Sequence, residues 1–147
     1  MELKEQSKPY MGEVRVKVKL TNGSDQMLAE AGTLARAQVR SCEVEAMVDT
    51  GAVRTVIPNH VLQHLGTQPR GQRVAEYVDG RKEAIGMTEP IILDILGRDT
   101  SDEALVLGDE VLIGQTVLEK LDLHADCANR RLIPNPAHPD QPVTKVK

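Results

Sequence analysis

Two runs of strict alternation constrain this chain more than any other feature it has. In the first, Val14, Val16, Val18 and Leu20 take every second place, with Glu13, Arg15, Lys17 and Lys19 between them. In the second, Cys42, Val44, Ala46 and Val48 alternate with Glu43, Glu45 and Met47. A period of two puts one set of side chains on a single face of an extended segment, so both runs read as half-buried strands. The material for their buried side is aliphatic, because the chain has no Trp, no Phe and only Tyr10 and Tyr77. A core of Val, Leu, Ile, Ala and Met suits strands and points to a mainly β fold.

The first run stops at Asn22-Gly23, a turn signal, but the next strand is expected only from about Val39. Residues 24–38 are therefore an excursion, whose Ala-rich part over residues 27–37 has room for a helical turn or two. The second run delivers the chain to Asp49-Thr50-Gly51-Ala52, followed by the largely apolar run 53–57. Pro58 then pre-sets the first turn of a short helix whose inward stripe is Val61, Leu62 and Leu65 and whose end is Gly66. Between residues 72 and 87 two polar arms flank Asp79-Gly80, a dipeptide suited to a type I′ hairpin turn. The apolar runs 91–96 and 104–107 read as strands buried on both faces, with a polar turn over residues 97–102 between them. Val111-Leu112-Ile113-Gly114 leads into a second short helix, 116–121, and residues 123–125 and 131–133 read as a closing hairpin. Beyond Pro134 the prolines at 136, 139 and 142 among polar residues predict an extended or disordered tail.

The length of 147 residues fits one domain able to bury a core without disulfides or a structural metal. The expected division is an N-terminal segment 1–12, a domain 13–134 with 24–38 as an insertion, and a Pro-rich tail 135–147. Eighteen basic and 22 acidic residues are mixed along the chain, leaving a net charge of −4 and no basic stripe to follow a phosphate backbone. Nucleic acid is not an expected partner. No run approaches the roughly 18–20 apolar residues of a membrane span, and the first nine residues lack the apolar stretch of a signal peptide. Cys42 and Cys127 fit no metal-ligand spacing and read as free thiols, so a cytoplasmic address is expected.

The order of the elements carries the chemistry: an alternating strand, Asp49-Thr50-Gly51-Ala52, an apolar strand, a hairpin, further strands, Val111-Leu112-Ile113-Gly114, a helix and a terminal strand. Over residues 13–134 this resembles the retropepsin-like aspartic proteases, and among them the stand-alone bacterial type. The resemblance implies a closed β-barrel of the acid protease fold with one or two short helices. It implies Asp49 as the catalytic carboxylate, with Thr50, Gly51 and Ala52 forming the active-site loop. Ile113 and Gly114 would support that loop from behind, and Tyr77, Val78, Asp79 and Gly80 would form the tip of a flap over the substrate. Thr50 would bond across a dimer axis, and Gly51 would let the backbone approach the substrate in torsions closed to other residues. Two positions depart from the viral members, with Val53 where they carry Asp and Gln115 where they carry Arg, so a salt bridge is missing with both its partners at once.

Hydrolysis by this route needs two carboxylates that share one proton around a water molecule, because two like charges so close do not both ionise. The chain has one Asp-Thr-Gly, so the second carboxylate is expected from the other subunit of a homodimer. The expected function is that of an aspartic endopeptidase acting on a protein or peptide, with no metal and no organic cofactor. The alternative is a non-catalytic dimerisation or peptide-binding module that keeps the fold. His60 and His64 stand four apart on a helix, but no Glu follows His60 and no third ligand is evident, so they read as exposed helix residues. Asp122 and Asp126 read as solvated or capping residues. For Tyr77, lining the cleft and ordinary cross-strand packing both remain open.

Overall fold

A computed structural model describes residues 13–146; the expected N-terminal segment and Tyr10 lie outside the described residues. The two alternating runs pair with each other: β1 (Val14–Asn22) lies antiparallel to β2 (Ser41–Val48), in register from Val14 opposite Val48 to Thr21 opposite Ser41. Their apolar sets meet on one face, where Val14, Val18, Leu20, Ala46 and Val48 are buried. The opposite face carries the charged alternates, with Lys17 across from Glu45 and Lys19 across from Glu43.

At Asn22-Gly23, read from the sequence as a turn, a helix begins. Asn22 is the N-cap of α1 (Gly23–Glu30), its side chain accepting from the Asp25 amide at 3.0 Å. Gly23 is required because a Cβ there would collide with the Pro90 carbonyl oxygen. The chain then returns through a short 3₁₀ turn, Arg36–Gln38, and the excursion is clasped shut at its base. The Asp25 carboxylate accepts from the Arg40 amide at 3.0 Å and from its guanidinium at 2.8 and 3.0 Å. The Asn22 amide donates to the Arg40 carbonyl at 2.9 Å.

Past the Asp49 loop, β3 (Thr55–Ile57) leads to α2 (Asn59–His64), whose Val61 and Leu62, with Leu65 just beyond, are buried as the stripe predicts. The hairpin of β4 (Gly71–Glu76) and β5 (Lys82–Met87) forms, with Glu76 opposite Lys82. Its turn differs from the expected type I′. The Gly80 amide donates to the Tyr77 carbonyl at 2.8 Å, and of the tip residues only Gly80 has positive φ, at 87°. This is the three-residue connection with a glycine bulge, which needs one left-handed residue rather than two. The type I′ turn occurs instead at Leu96 and Gly97, with φ of 55° and 81°, joining β6 (Ile91–Ile95) to β7 (Arg98–Asp102).

β7 corrects the expected polar turn at 97–102. Its inward residues are Arg98, Thr100 and Asp102, of which Arg98 and Asp102 are buried by hydrogen bonding rather than by apolar character, so no hydrophobic signal marks the strand. Nor is β6 buried on both faces: Ile91, Leu93 and Ile95 are buried, whereas Ile92 and Asp94 are half-buried. After β8 (Ala104–Val106) and β9 (Leu112–Ile113), α3 (Gln115–Leu121) ends in a left-handed cap at Asp122. The expected closing hairpin is β10 (Leu123–Asp126) with β11 (Arg131–Pro134).

Nine strands make one sheet in the order β4-β5-β8-β3-β9-β2-β1-β6-β7. Its end strands, β4 and β7, are not paired with each other, so hydrogen bonding does not close the sheet into the barrel expected from the sequence. The core lies on one face, where Val14, Val18, Leu20, Val48, Ile57 and Ile113 pack with the helical Leu62, Val117 and Leu121 and with Leu65 at the end of α2. The tail carries no helix or strand but is anchored. Asp122 accepts from the Asn135 side chain at 2.9 Å and the Val143 amide at 3.0 Å, and its carboxylate is 2.7 Å from His138 Nδ1. Arg98 donates to the carbonyls of Leu121, Asp122 and His138.

Candidate active site

Asp49 stands where β2 runs out, and its placement follows from the strand beside it. β2 pairs parallel with β9, with Met47 opposite Leu112 and Val48 opposite Ile113. One step further the Asp49 amide donates to the Ile113 carbonyl at 2.9 Å. The carboxylate is folded back on its own loop, with Oδ1 accepting from the Gly51 amide at 3.0 Å. The Ala52 amide closes the turn on the Asp49 carbonyl at 3.0 Å.

The Gly114 segment locks this loop from the other side. The Gln115 amide donates to the Ala52 carbonyl at 2.8 Å, and the Thr116 amide to the Val53 carbonyl at 3.2 Å. A Cβ at Gly114 would sit 2.8 Å from the carbonyl oxygens of both Val53 and Arg54, so only glycine permits this approach. Gly114 itself has an ordinary φ of −92°; space, not torsion, is the requirement. Gly51 is similar. It is not among the residues with positive φ, contrary to the unusual torsions anticipated, and a Cβ on it would press on Asp49 Oδ1 at 3.3 Å. Val53 and Gln115 each bond through the main chain to the neighbour of the other, Thr116 and Ala52, and Val53 is 66% exposed.

Thr50 is exposed and Ala52 half-buried beside Asp49. Ile113 is fully buried in the core directly behind the loop. The residues expected at the flap tip lie together on the β4–β5 connection. Tyr77 Oη donates to Glu83 at 2.7 Å, and the Arg81 guanidinium lies over its ring, 4.0 Å from the centroid. The Glu83 carboxylate at that bond pushes the Tyr77 phenol up from its ordinary range. Val78 is fully exposed, and Asp79 Oδ1 accepts from the Arg81 amide at 2.9 Å.

One feature of the site escaped the reading of the sequence. Strand registers connect Met47, Leu112, Val56, Leu105 and Met87 as successive partners across β2, β9, β3, β8 and β5. Partners in register share a face, so these side chains form one apolar row. It lies opposite the core, beginning two residues before Asp49 and ending at the base of the hairpin. Met47, Leu112 and Leu105 are only half-buried. The signal was present in part as the Met47 that breaks the polar set of β2, but the row exists only once β3, β8 and β9 are ordered side by side.

His60 and His64 are both exposed on α2. Asp126 caps the β10–β11 turn, accepting from the Asn129 side chain at 2.8 Å, and lies in the other sheet from Asp49. No described helix is long and apolar enough to cross a membrane.

Residues 35–94 match the family model of aspartyl proteases. The matched stretch takes in β2, the Asp49 loop, α2 and the hairpin, and it ends before Gly114. This agrees with the resemblance read from the sequence. Among solved structures, the chain is 20% identical to the EIAV protease determined with an inhibitor, over 53% of this chain and 76% of that one, with a TM-score of 0.44. It is 18% identical to a foamy viral protease-reverse transcriptase determined with an RNA/DNA hybrid, over 71% of this chain but 11% of that one, with a TM-score of 0.46. No curated protein matches the chain.

Proposed function

Taking the aspartyl-protease match of residues 35–94 as the premise, we propose that the chain is one half of an aspartic endopeptidase whose two Asp49 carboxylates, one per protomer, activate a shared water. The observation that carries the reading is the Asp49 loop itself: an acidic residue at the end of β2 whose amide bonds β9 and whose carboxylate accepts from the Gly51 amide, braced by Gly114, at the head of a half-buried apolar row. One such loop per chain leaves the site half-built, and a two-fold axis would complete it.

In the dimer one carboxylate would be ionised and its mate protonated. The ionised group takes a proton from the water as that water attacks the scissile carbonyl, and the protonated group donates to the carbonyl oxygen. Thr50, exposed beside Asp49, would bond to its counterpart and hold the two loops together. An extended peptide would lie against the row of Met47, Leu112, Val56 and Leu105, covered by the Tyr77–Gly80 tip of each protomer, its backbone pairing with strands. Neither metal nor organic cofactor takes part. A cytoplasmic address belongs to the same proposal, motivated by the free thiols of Cys42 and Cys127.

The test is Asp49→Asn. It should lower peptide hydrolysis by about three orders of magnitude or more while leaving the circular dichroism spectrum and the sedimentation behaviour unchanged. Cleavage that persists in the purified variant would remove Asp49 from the chemistry.

A further inference from the structure

The apolar row ends against a charged recess. A concavity of about 300 Å³ lies at the base of the hairpin, lined by Arg70, Arg73, Met87, Thr88, Glu89 and Glu103 among others. Arg73 is opposite Ile85 in the β4–β5 ladder, and Ile85 is two residues from Met87, so Arg73 and Met87 share the face that carries Leu105, Val56 and Leu112. Arg73 Nε is 3.0 Å from Met87 Sδ, which fixes the guanidinium over the end of the row.

The charges around the recess do not balance. Arg70 pairs with Glu89 at 3.0 Å, and Glu103 faces Arg54 of the post-Asp49 loop at 3.7 Å. Both acids that line the recess thus have a cation, whereas Arg73 has no carboxylate within ion-pair distance among the described residues. A guanidinium whose one side-chain bond among the described residues is to a thioether leaves most of its donors for another acceptor.

We infer that Arg73 and the recess beside it form a specificity site for a carboxylate side chain, so that the preferred peptide carries Asp or Glu near an aliphatic residue. The inference rests on the peptidase reading above and adds its substrate class. The Arg73 guanidinium lies over Met87 of β5, and Asp49 ends β2, four strand spacings away, about 19 Å across the sheet or about six residues of an extended peptide. The acidic residue is therefore within about six positions of the cleaved bond. The apolar row takes its aliphatic neighbour, and the planar fork of Arg73 takes the carboxylate.

The experiment uses peptide pairs that differ only in Glu against Gln, scanned over about six positions on each side of the bond. At one position the wild-type dimer should favour Glu about tenfold in kcat/KM through KM, and the ratio should shrink as salt is raised. Arg73→Met should bring the ratio to about one while Gln peptides are still cleaved, and Arg73→Glu should turn the preference toward Lys. A wild-type ratio near one at every position, or a ratio unchanged in Arg73→Met, overturns the inference. The same pairs titrated onto the Asp49→Asn protein by fluorescence anisotropy separate the two readings. Glu-selective binding without wild-type hydrolysis would sink the peptidase and keep the Arg73 site; wild-type hydrolysis without Glu selectivity would do the reverse.

Discussion

Gly114 faces Val53 so closely that a methyl group on it would stand 2.8 Å from the Val53 carbonyl oxygen. The obstacle is backbone held by the Gln115 and Thr116 amides, not the free end of a side chain. Gly114→Ala should therefore displace the Asp49 loop, lowering stability by about 1–3 kcal/mol as read from the urea midpoint. An unchanged midpoint would mean that the loop yields, contrary to the bracing described.

Leu96 occupies a left-handed turn position with φ of 55° and a side chain 51% exposed, so its bulk contributes strain and little burial. Leu96→Asn, which tolerates that torsion, is expected to raise stability by about 0.5–1 kcal/mol. Thermal unfolding monitored by circular dichroism checks it; a lowered Tm would show that Leu96 packs usefully after all.

Asp25 is buried and accepts three hydrogen bonds from Arg40, which hold its carboxyl below the usual range. Removing the guanidinium strands a buried carboxylate, so Arg40→Leu should cost about 1–3 kcal/mol. The excursion should also exchange its amide hydrogens faster. Equal protection factors over residues 23–38 in both proteins would contradict this.

The bonds from Asn135, Val143 and His138 lower the Asp122 carboxyl from its ordinary 3.8 to about 2. Since the folded chain favours the charged form, this contribution to tail docking is complete above about pH 4 and is lost as the pH falls toward 2. Limited pepsin digestion of residues 135–146 should thus accelerate across that interval, relative to cleavage elsewhere, and in Asp122→Asn it should already be fast at pH 4. A cleavage rate independent of pH would place the anchor elsewhere, with Arg98.

If paired Asp49 groups share a proton, kcat/KM should rise and fall with pH in two steps that belong to the pair, not to either residue. Specific activity should also drop on dilution, following the dimer fraction measured by sedimentation. A single titration with concentration-independent activity would exclude a shared pair.

The parts of the fold that were legible share one property: their inward positions are apolar. Val14 to Leu20, Cys42 to Val48 and the Val61, Leu62, Leu65 stripe announce themselves by period alone, and Asp49 and Gly114 are found by what they follow. β7 was illegible because Arg98 and Asp102 are buried through bonds to the Leu121, Asp122 and His138 carbonyls and to Thr55 and Lys120, partners far away in sequence. The I′ turn was assigned to Asp79-Gly80 because local propensity favours it there, whereas strand register places it at Leu96-Gly97, where a leucine must accept the torsion. The anchoring of the tail was illegible for the same reason, since Asp122 is what holds it. Arg73 offered no signal until Ile85 and Met87 were placed beside it.

The clasp between Asn22 and Arg40 has a consequence for variation within such chains. Thr21 and Ser41 are already ladder partners, and the next main-chain bond, Asn22 to Arg40, closes the mouth of the excursion. With Gly23 and Asp25 kept, the two long strands thus meet whatever lies between residues 25 and 40, and selection can lengthen, shorten or redecorate that span without moving the acid at the far end of β2.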